Sequence, residues 1–218
     1  MVCRRGAPAM LEATKRDIAY QRIKEMILRG EITSDSAFSE KKLAEALGMS
    51  RTPVREGLQK LIHEGFMRGF SGKGAMVSGI SIAEAVEIVE FRMALEEFLI
   101  SNIKRPLDDE QYSRLTRLIA LQRPILEKVD SDAFLESDLQ FHDELASIYG
   151  NQLIRDTLLS VRERFFAAGG FILRNKSQMA EAFEGHLRLV ESLKRGDFAE
   201  AGKIMHAHLL FARRALIS

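Results

Sequence analysis

The sequence predicts a mainly α-helical protein in two parts, a winged helix-turn-helix domain in front and an all-helical bundle behind it. Three observations predict this. Short helical patterns between Thr14 and Ser78 are punctuated by Gly30, Gly48 and Gly65, whereas beyond Gly79 a 3.6-residue periodicity runs with few interruptions. Charge divides at nearly the same place. Residues 1–75 carry 14 basic and 9 acidic groups and residues 76–218 carry 18 and 22, so the net charge of +1 joins a basic front to an acidic back. Finally, no strand alternation and no internal repeat follow Gly79. The expected division is a flexible arm at 1–13, the winged helix at 14–79, and a helical bundle at 80–218.

Composition narrows the class. With 46% hydrophobic and 29% charged residues over 218 positions, the chain reads as an ordinary globular protein. No apolar run reaches the ~18 residues of a membrane span, and "MVCRRGAPAM" has basic residues without the apolar core of a signal peptide. The expected address is the cytoplasm, with no membrane partner. Cys3 is the one cysteine, which excludes internal disulfides and a thiolate-cluster metal site.

In the front domain, Ile23, Met26 and Ile27 give a helical face that stops near Gly30. "SEKKLAEALG" offers Ser39 as N-cap, Leu43, Ala46 and Leu47 as an apolar face, and Gly48 as terminator. After Met49, "SRTPVREGLQKLIHEG" begins a second helix at Ser50, with Val54, Leu58, Leu61 and Ile62 expected inward and Gly65 ending it. Two helices so close together form a helix-turn-helix. "FMRGFSGKGAMVS" then reads as two short strands about a turn at Ser71 to Gly74, which is a wing.

The second helix carries Arg51, Thr52 and Arg55 near its start, where side chains reach base edges in a major groove. Lys41, Lys42 and Lys73 are suited to phosphates, which add affinity without sequence information. A solvated face on a packing helix is the plain alternative. The run "FSEKKLAEALGMSRTPVREGLQKLIHEGF" resembles the winged-helix domain of the GntR family of bacterial transcription regulators. That resemblance implies DNA-contact positions at Lys41, Arg51, Thr52, Arg55 and Gly72. It also implies binding to a palindromic operator in double-stranded DNA, as a homodimer. Two departures are visible. Gly57 stands where the family usually has alanine, at a helix-propensity cost of about 1 kcal/mol, and "EITSDSAF" lacks the family's Pro-Gly turn.

In the rear, "SIAE" supplies Ser81 and Glu84 as a capping box. Six helices are expected at roughly 82–103, 108–129, 131–149, 151–173, 178–195 and 197–216. Pro106, Pro124, Gly150 and Gly196 act as breakers, and "AAGG" is able to end the fourth of these helices early.

"DLQFHDELASIYGN" puts Asp138 and His142 four residues apart on an otherwise apolar stripe of Leu135, Leu139, Leu145, Ala146 and Tyr149. His186 shares a stripe with Phe183, Leu187, Val190 and Leu193. His208 shares one with Ala201, Ile204, Met205, Ala212 and Ala215. His206, about 200° around its helix from His208, faces elsewhere, and His63 is a surface residue. One buried histidine is ordinarily a hydrogen-bonded core group. Three with an aspartate each need partners, which a divalent cation such as zinc, nickel, iron or manganese satisfies together.

The same segments, with "EGHLRLVESLKRGDFAEAGKIMHAHL", resemble the ligand-sensing FCD domain of the FadR branch of GntR regulators, in its shorter VanR-like, six-helix form. By that resemblance the metal ligands are Asp138, His142, His186 and His208. Arg92 lies on the inward stripe of Ala85, Ile88, Leu95 and Leu99, and a buried guanidinium needs an anion. Glu96, four residues on, is one candidate. The other is a small organic acid bridging Arg92 and an open metal position, which the resemblance of "FRMALE" to helices in these sensors also implies. Arg162 and Arg164 are further candidates whose direction the sequence leaves open.

The expected function is therefore a repressor controlled by a carboxylate effector at a metal centre, and not an enzyme. Two alternatives stay open. One is a metal-dependent enzyme, for which Glu144 is the nearest candidate base although it points about 200° from His142. The other is a regulator whose signal is the metal itself.

Overall fold

The computed structural model describes residues 14–32, 38–70, 74–168 and 175–217, and the chain divides into two compact units, Met1–Ser78 and Gly79–Ser218. The arm at 1–13 with Cys3, and the wing residues Gly72 and Lys73, lie outside the described residues.

In the first unit α1 (Lys15–Leu28) begins at a capping box. Thr14 Oγ1 accepts from the Asp17 amide, and the Asp17 carboxylate accepts from the Thr14 amide. Helix α2 (Glu40–Leu47) is capped by Ser39 and stops at Gly48 in the left-handed region, φ 63°. Helix α3 (Arg51–His63) follows after two residues, and Ser50 holds the N-cap position without a side-chain capping bond. Strands β1 (Met67–Phe70) and β2 (Gly74–Val77) pair antiparallel, and Phe38 adds a bridge to Ala75.

Gly57 explains the first departure from the family pattern. A Cβ there would meet Tyr20 N at 2.9 Å and Tyr20 Cα at 3.2 Å, so its absence lets α3 lie directly against the backbone of α1. The Tyr20 ring is then held at two points, by α3 and by its C-cap residue. Its hydroxyl donates to Glu64 at 2.7 Å, and Lys60 Nζ sits 4.0 Å from the ring centroid. Ile62, expected inward, is 36% exposed and reaches toward Gly69 of the wing. Gly74 is required by space as well: at φ 122° a Cβ would fall 2.1 Å from Phe38 O and push Phe38 out of its bridge to Ala75.

The second unit contains α4 (Ile82–Ser101), α5 (Asp109–Lys128), α6 (Ser131–Tyr149), α7 (Gln152–Ala167), α8 (Lys176–Arg195) and α9 (Phe198–Ile217). Helix α4 starts at the expected capping box, in which Ser81 Oγ accepts from Glu84 N and Glu84 Oε2 accepts from Ser81 N. Helices α6 and α8 stop at Gly150 and Gly196, both with positive φ. Pro124 does not break α5: the helix runs through it, giving up only the amide that would donate to the Ala120 carbonyl. Helix α7 does end early, at the first alanines of "AAGG".

Helix α4 packs chiefly against α9, and α5 against α6 and α8. Phe134, Phe141, Leu115, Met179, Leu193, Met205 and Leu209 fill the centre. Helix α6 presents a wider inward face than periodicity suggested, because Phe134 and Phe141 are fully buried while Leu135 and Leu139 are half-buried. Among the described residues no helix is long and apolar enough to cross a membrane.

Candidate metal centre and nucleic-acid interface

The bundle's apolar core encloses a polar cluster. Arg92 and Glu96 on α4, Gln122 on α5, Asp138 and His142 on α6, Arg162 on α7 and His186 on α8 are all buried, and His208 on α9 is half-buried. Asp138, His142, His186 and His208 each offer one ligand atom, and these four atoms lie within 4.8 Å of one another. The imidazole centroids are 5.4, 5.2 and 4.9 Å apart. A cation about 2.1 Å from each donor separates donors by at most about 4.2 Å, so the widest pair needs to draw in by at least about half an ångström.

Hydrogen bonds fix which ring nitrogens face inward. Glu96 Oε2 contacts His142 Nδ1, and Gln122 Oε1 lies 2.9 Å from His186 Nδ1. A carboxylate oxygen and an amide oxygen only accept, so each Nδ1 carries a proton and each Nε2 is the nitrogen turned toward the other donors. Those two Nε2 atoms are buried and make no hydrogen bond, although Asp138 Oδ1 stands 3.6 Å from His142 Nε2 and 3.2 Å from His186 Nε2. Buried acceptors left in this state beside a carboxylate suit a cation, and histidine ligands backed by an acceptor on the far nitrogen recur at metal sites.

Protonation agrees with that chemistry. Burial pushes His208 well below the ordinary histidine value, reinforced by His186 and His142. Burial also lowers His186, against the partial opposition of Asp138. Burial alone would raise the Asp138 carboxyl, but His142, His186 and Arg162 outweigh it and hold it well below the usual range. The cluster therefore offers one anionic and at least two neutral donors near neutral pH. Space at His208 depends on Gly185, whose Cβ would stand 3.0 Å from His208 Nδ1.

Two guanidiniums border the cluster. Arg92 Nε donates to Glu96 Oε1 at 2.7 Å, so the intramolecular partner is real, yet Arg92 Nη2 is buried without a hydrogen bond. Arg162 Nη2 donates to Asp138 Oδ2 at 2.9 Å and to the Asp138 carbonyl at 3.2 Å. Burial and the neighbouring Arg92 lower the Arg162 pKa to about 10. Arg92, Arg162, Asp138 and His208 share a cavity of about 40 Å³ with apolar walls from Leu135, Leu139, Phe165 and Phe211. That volume holds a few waters or a carboxylate group.

Sequence reasoning passed over Gln122 and the contact between Glu96 and His142. Gln122 carries a readable signal, a polar residue on a stripe whose other members, Leu115 and Ile119, are buried. The other expected positions lie apart. Glu144 is held by Arg114 Nε at 2.7 Å, His206 contacts Glu97 at 2.9 Å, and His63 is exposed.

In the first unit Arg51, Thr52 and Arg55 are exposed at the start of α3, and Lys41 and Lys42 are exposed on α2. Arg51 and Arg55 line one groove with Gln59 between the start of α2 and the wing strands, whereas Thr52 lines an adjoining groove with Thr14 and Asp17. Gln59 continues the four-residue spacing of the two arginines and adds an amide able to read adenine.

Residues 87–211 match the family model of the FCD domain, and residues 15–77 match that of bacterial regulatory proteins of the gntR family. The gluconate operon transcriptional repressor of Bacillus licheniformis is 28% identical over 169 residues, covering 76% of this chain and 67% of that one. The transcriptional repressor NanR of Cronobacter sakazakii is 24% identical, covering 88% and 82%. Among solved structures, E. coli McbR/YncC aligns with a TM-score of 0.81 at 19% identity, over 94% of this chain and 98% of that one, a likeness of fold.

Proposed function

The chain belongs to the GntR family of bacterial transcription regulators and carries an FCD domain, and from that premise we propose a cytoplasmic homodimeric repressor whose bundle senses a small organic acid at a divalent metal centre. The observation that carries the sensing half is the pair of buried nitrogens, His142 Nε2 and His186 Nε2, left without hydrogen bonds beside Asp138. Asp138, His142, His186 and His208 would hold zinc, nickel, iron or manganese. When bound, the cation supplies positive charge and an open coordination position for a carboxylate. Arg92, which lines the same cavity, would orient the acid through its unbonded Nη2, and Arg162 keeps Asp138 in place.

On the DNA side, Arg51 and Arg55 read base edges, with Thr52 on the adjoining flank, and Lys41 takes a phosphate. Gly72 and Lys73 of the wing join the interface in this reading. Repression is supported by the names of the relatives. Two-fold symmetry of the operator follows from a two-fold dimer. The acid acts by binding the DNA-competent and DNA-incompetent states with different affinity.

Selection of fragmented genomic DNA by the purified protein at fixed salt, beside Arg55→Ala, tests the reading. Wild type is expected to enrich a palindrome and the variant to lose that enrichment. A variant that enriches the same palindrome would remove Arg55 from the reading role.

A further inference from the structure

We propose that Glu96 is a positioning residue for the metal centre and that its second oxygen ties the centre to the anion-facing Arg92. The inference rests on the metal reading above and extends it to a residue that touches neither the cation nor the acid.

Glu96 is 3% exposed, so water is not on hand to satisfy its carboxylate. Both oxygens are instead used by the protein. Oε1 accepts from Arg92 Nε at 2.7 Å, and Oε2 accepts from His142 Nδ1. The three side chains form an unbroken buried chain from α4 to α6. At one end is Arg92, which lines the cavity and whose Nη2 has no hydrogen bond; at the other is His142 Nε2, which has none and faces Asp138.

The chain sets the geometry of His142 in two ways. A carboxylate on Nδ1 dictates the tautomer, leaving the Nε2 lone pair toward the other three donors, and it raises the donor strength of the imidazole. Arg92 in turn fixes the carboxylate, because the (i, i+4) spacing on α4 leaves Glu96 one oxygen for each partner. His186 has a different arrangement: its backing group is the neutral Gln122 amide, with no cationic residue in the chain. Of these two histidine branches, the one through His142 links the cluster to a cationic residue of the cavity. An acid docking on Arg92 Nη2 draws on the same guanidinium that holds Glu96, so acid capture and metal retention are coupled, and coupling of this kind is reciprocal.

The test uses Co(II), whose affinity is read by competition with a chromogenic chelator and whose ligand field is read from its visible absorption. Wild type, Glu96→Gln, Arg92→Gln and the double variant are compared as full-length protein. Glu96→Gln is expected to weaken Co(II) binding by roughly tenfold to a hundredfold and to shift the absorption band. Arg92→Gln should also weaken binding although it touches no ligand, and the double variant should be no weaker than Glu96→Gln, because the two act as one unit.

Because buried variants risk misfolding, the wild type is also examined by NMR of the imidazole nitrogens without metal, where His142 should carry its proton on Nδ1. A proton on Nε2 overturns the inference. So does an unchanged Co(II) affinity in Glu96→Gln, or a double variant whose loss is the product of the two single losses. If wild type itself binds no Co(II), the metal reading fails and takes this one with it, an outcome distinct from a wild type that binds beside an unaffected Glu96→Gln.

Discussion

Gly57 shows packing overruling local preference. Helix propensity asks for alanine there and offers about 1 kcal/mol for it, but the added methyl would land 2.9 Å from Tyr20 N, and the obstacle is backbone. Overpacking against a group that cannot turn aside costs about 1–3 kcal/mol. Gly57→Ala is therefore expected to lower the stability of the winged helix by about 1 kcal/mol net, read as a lower denaturant midpoint; a midpoint at or above wild type would mean that α1 shifts freely. The same contrast decides which site residues were legible. Asp138 with His142, and then His186 and His208, were readable because each is a polar interruption of an apolar stripe on its own helix. The Glu96–His142 and Arg162–Asp138 contacts were not, since they join residues 46 and 24 positions apart and depend on how neighbouring helices dock.

At the scale of elements, boundaries followed the sequence wherever a cap or a left-handed glycine marks them. Ser39 and the Ser81/Glu84 box fix starts, and Gly48, Gly150 and Gly196 fix stops. Two details escaped. The helix expected at 108–129 is α5, but Pro124 is not a breaker in it, because one missing amide does not outweigh the burial of Leu115 and Ile119 on the same helix, and the Phe38 bridge is a single pairing with no periodicity to betray it. The end of α5 holds an element without its usual residue. Val129 terminates the helix in the left-handed region, φ 56° and ψ 38°, and is 43% exposed. An L-residue there bears about 1–2 kcal/mol of strain, and a glycine gives back about 0.4–1 kcal/mol through its freer unfolded chain. Val129→Gly should thus stabilise the bundle by about 1 kcal/mol. Thermal unfolding checks the sign, and a lowered Tm would show that the valine side chain contributes more than its backbone costs.

For the molecule as a whole, the two units make separable demands, and that separation distinguishes an acid sensor from a metal sensor. A cation that binds the folded bundle and not the unfolded chain adds about 2.7 kcal/mol when free metal is a hundredfold above its Kd. For a unit of this size that corresponds to roughly 5–10 °C in Tm. Chelator dialysis is expected to lower the Tm of wild type by that order, and re-addition of metal to restore it. Asp138→Asn, which removes the one anionic donor of the cluster, should show no response to either step. A wild type that melts identically before and after chelation would leave the four donors as a structural polar cluster. Below the melting range the two readings part. If the metal is a resident cofactor and the acid is the signal, chelation alone leaves operator affinity at fixed salt unchanged, and added acid alters it only in the metal-loaded protein. If chelation reversibly changes operator affinity with no acid present, the cation is the signal. Arg92 then reverts to a structural partner of Glu96, because the one atom that argues for an acid, its unbonded Nη2, would have no ligand to receive.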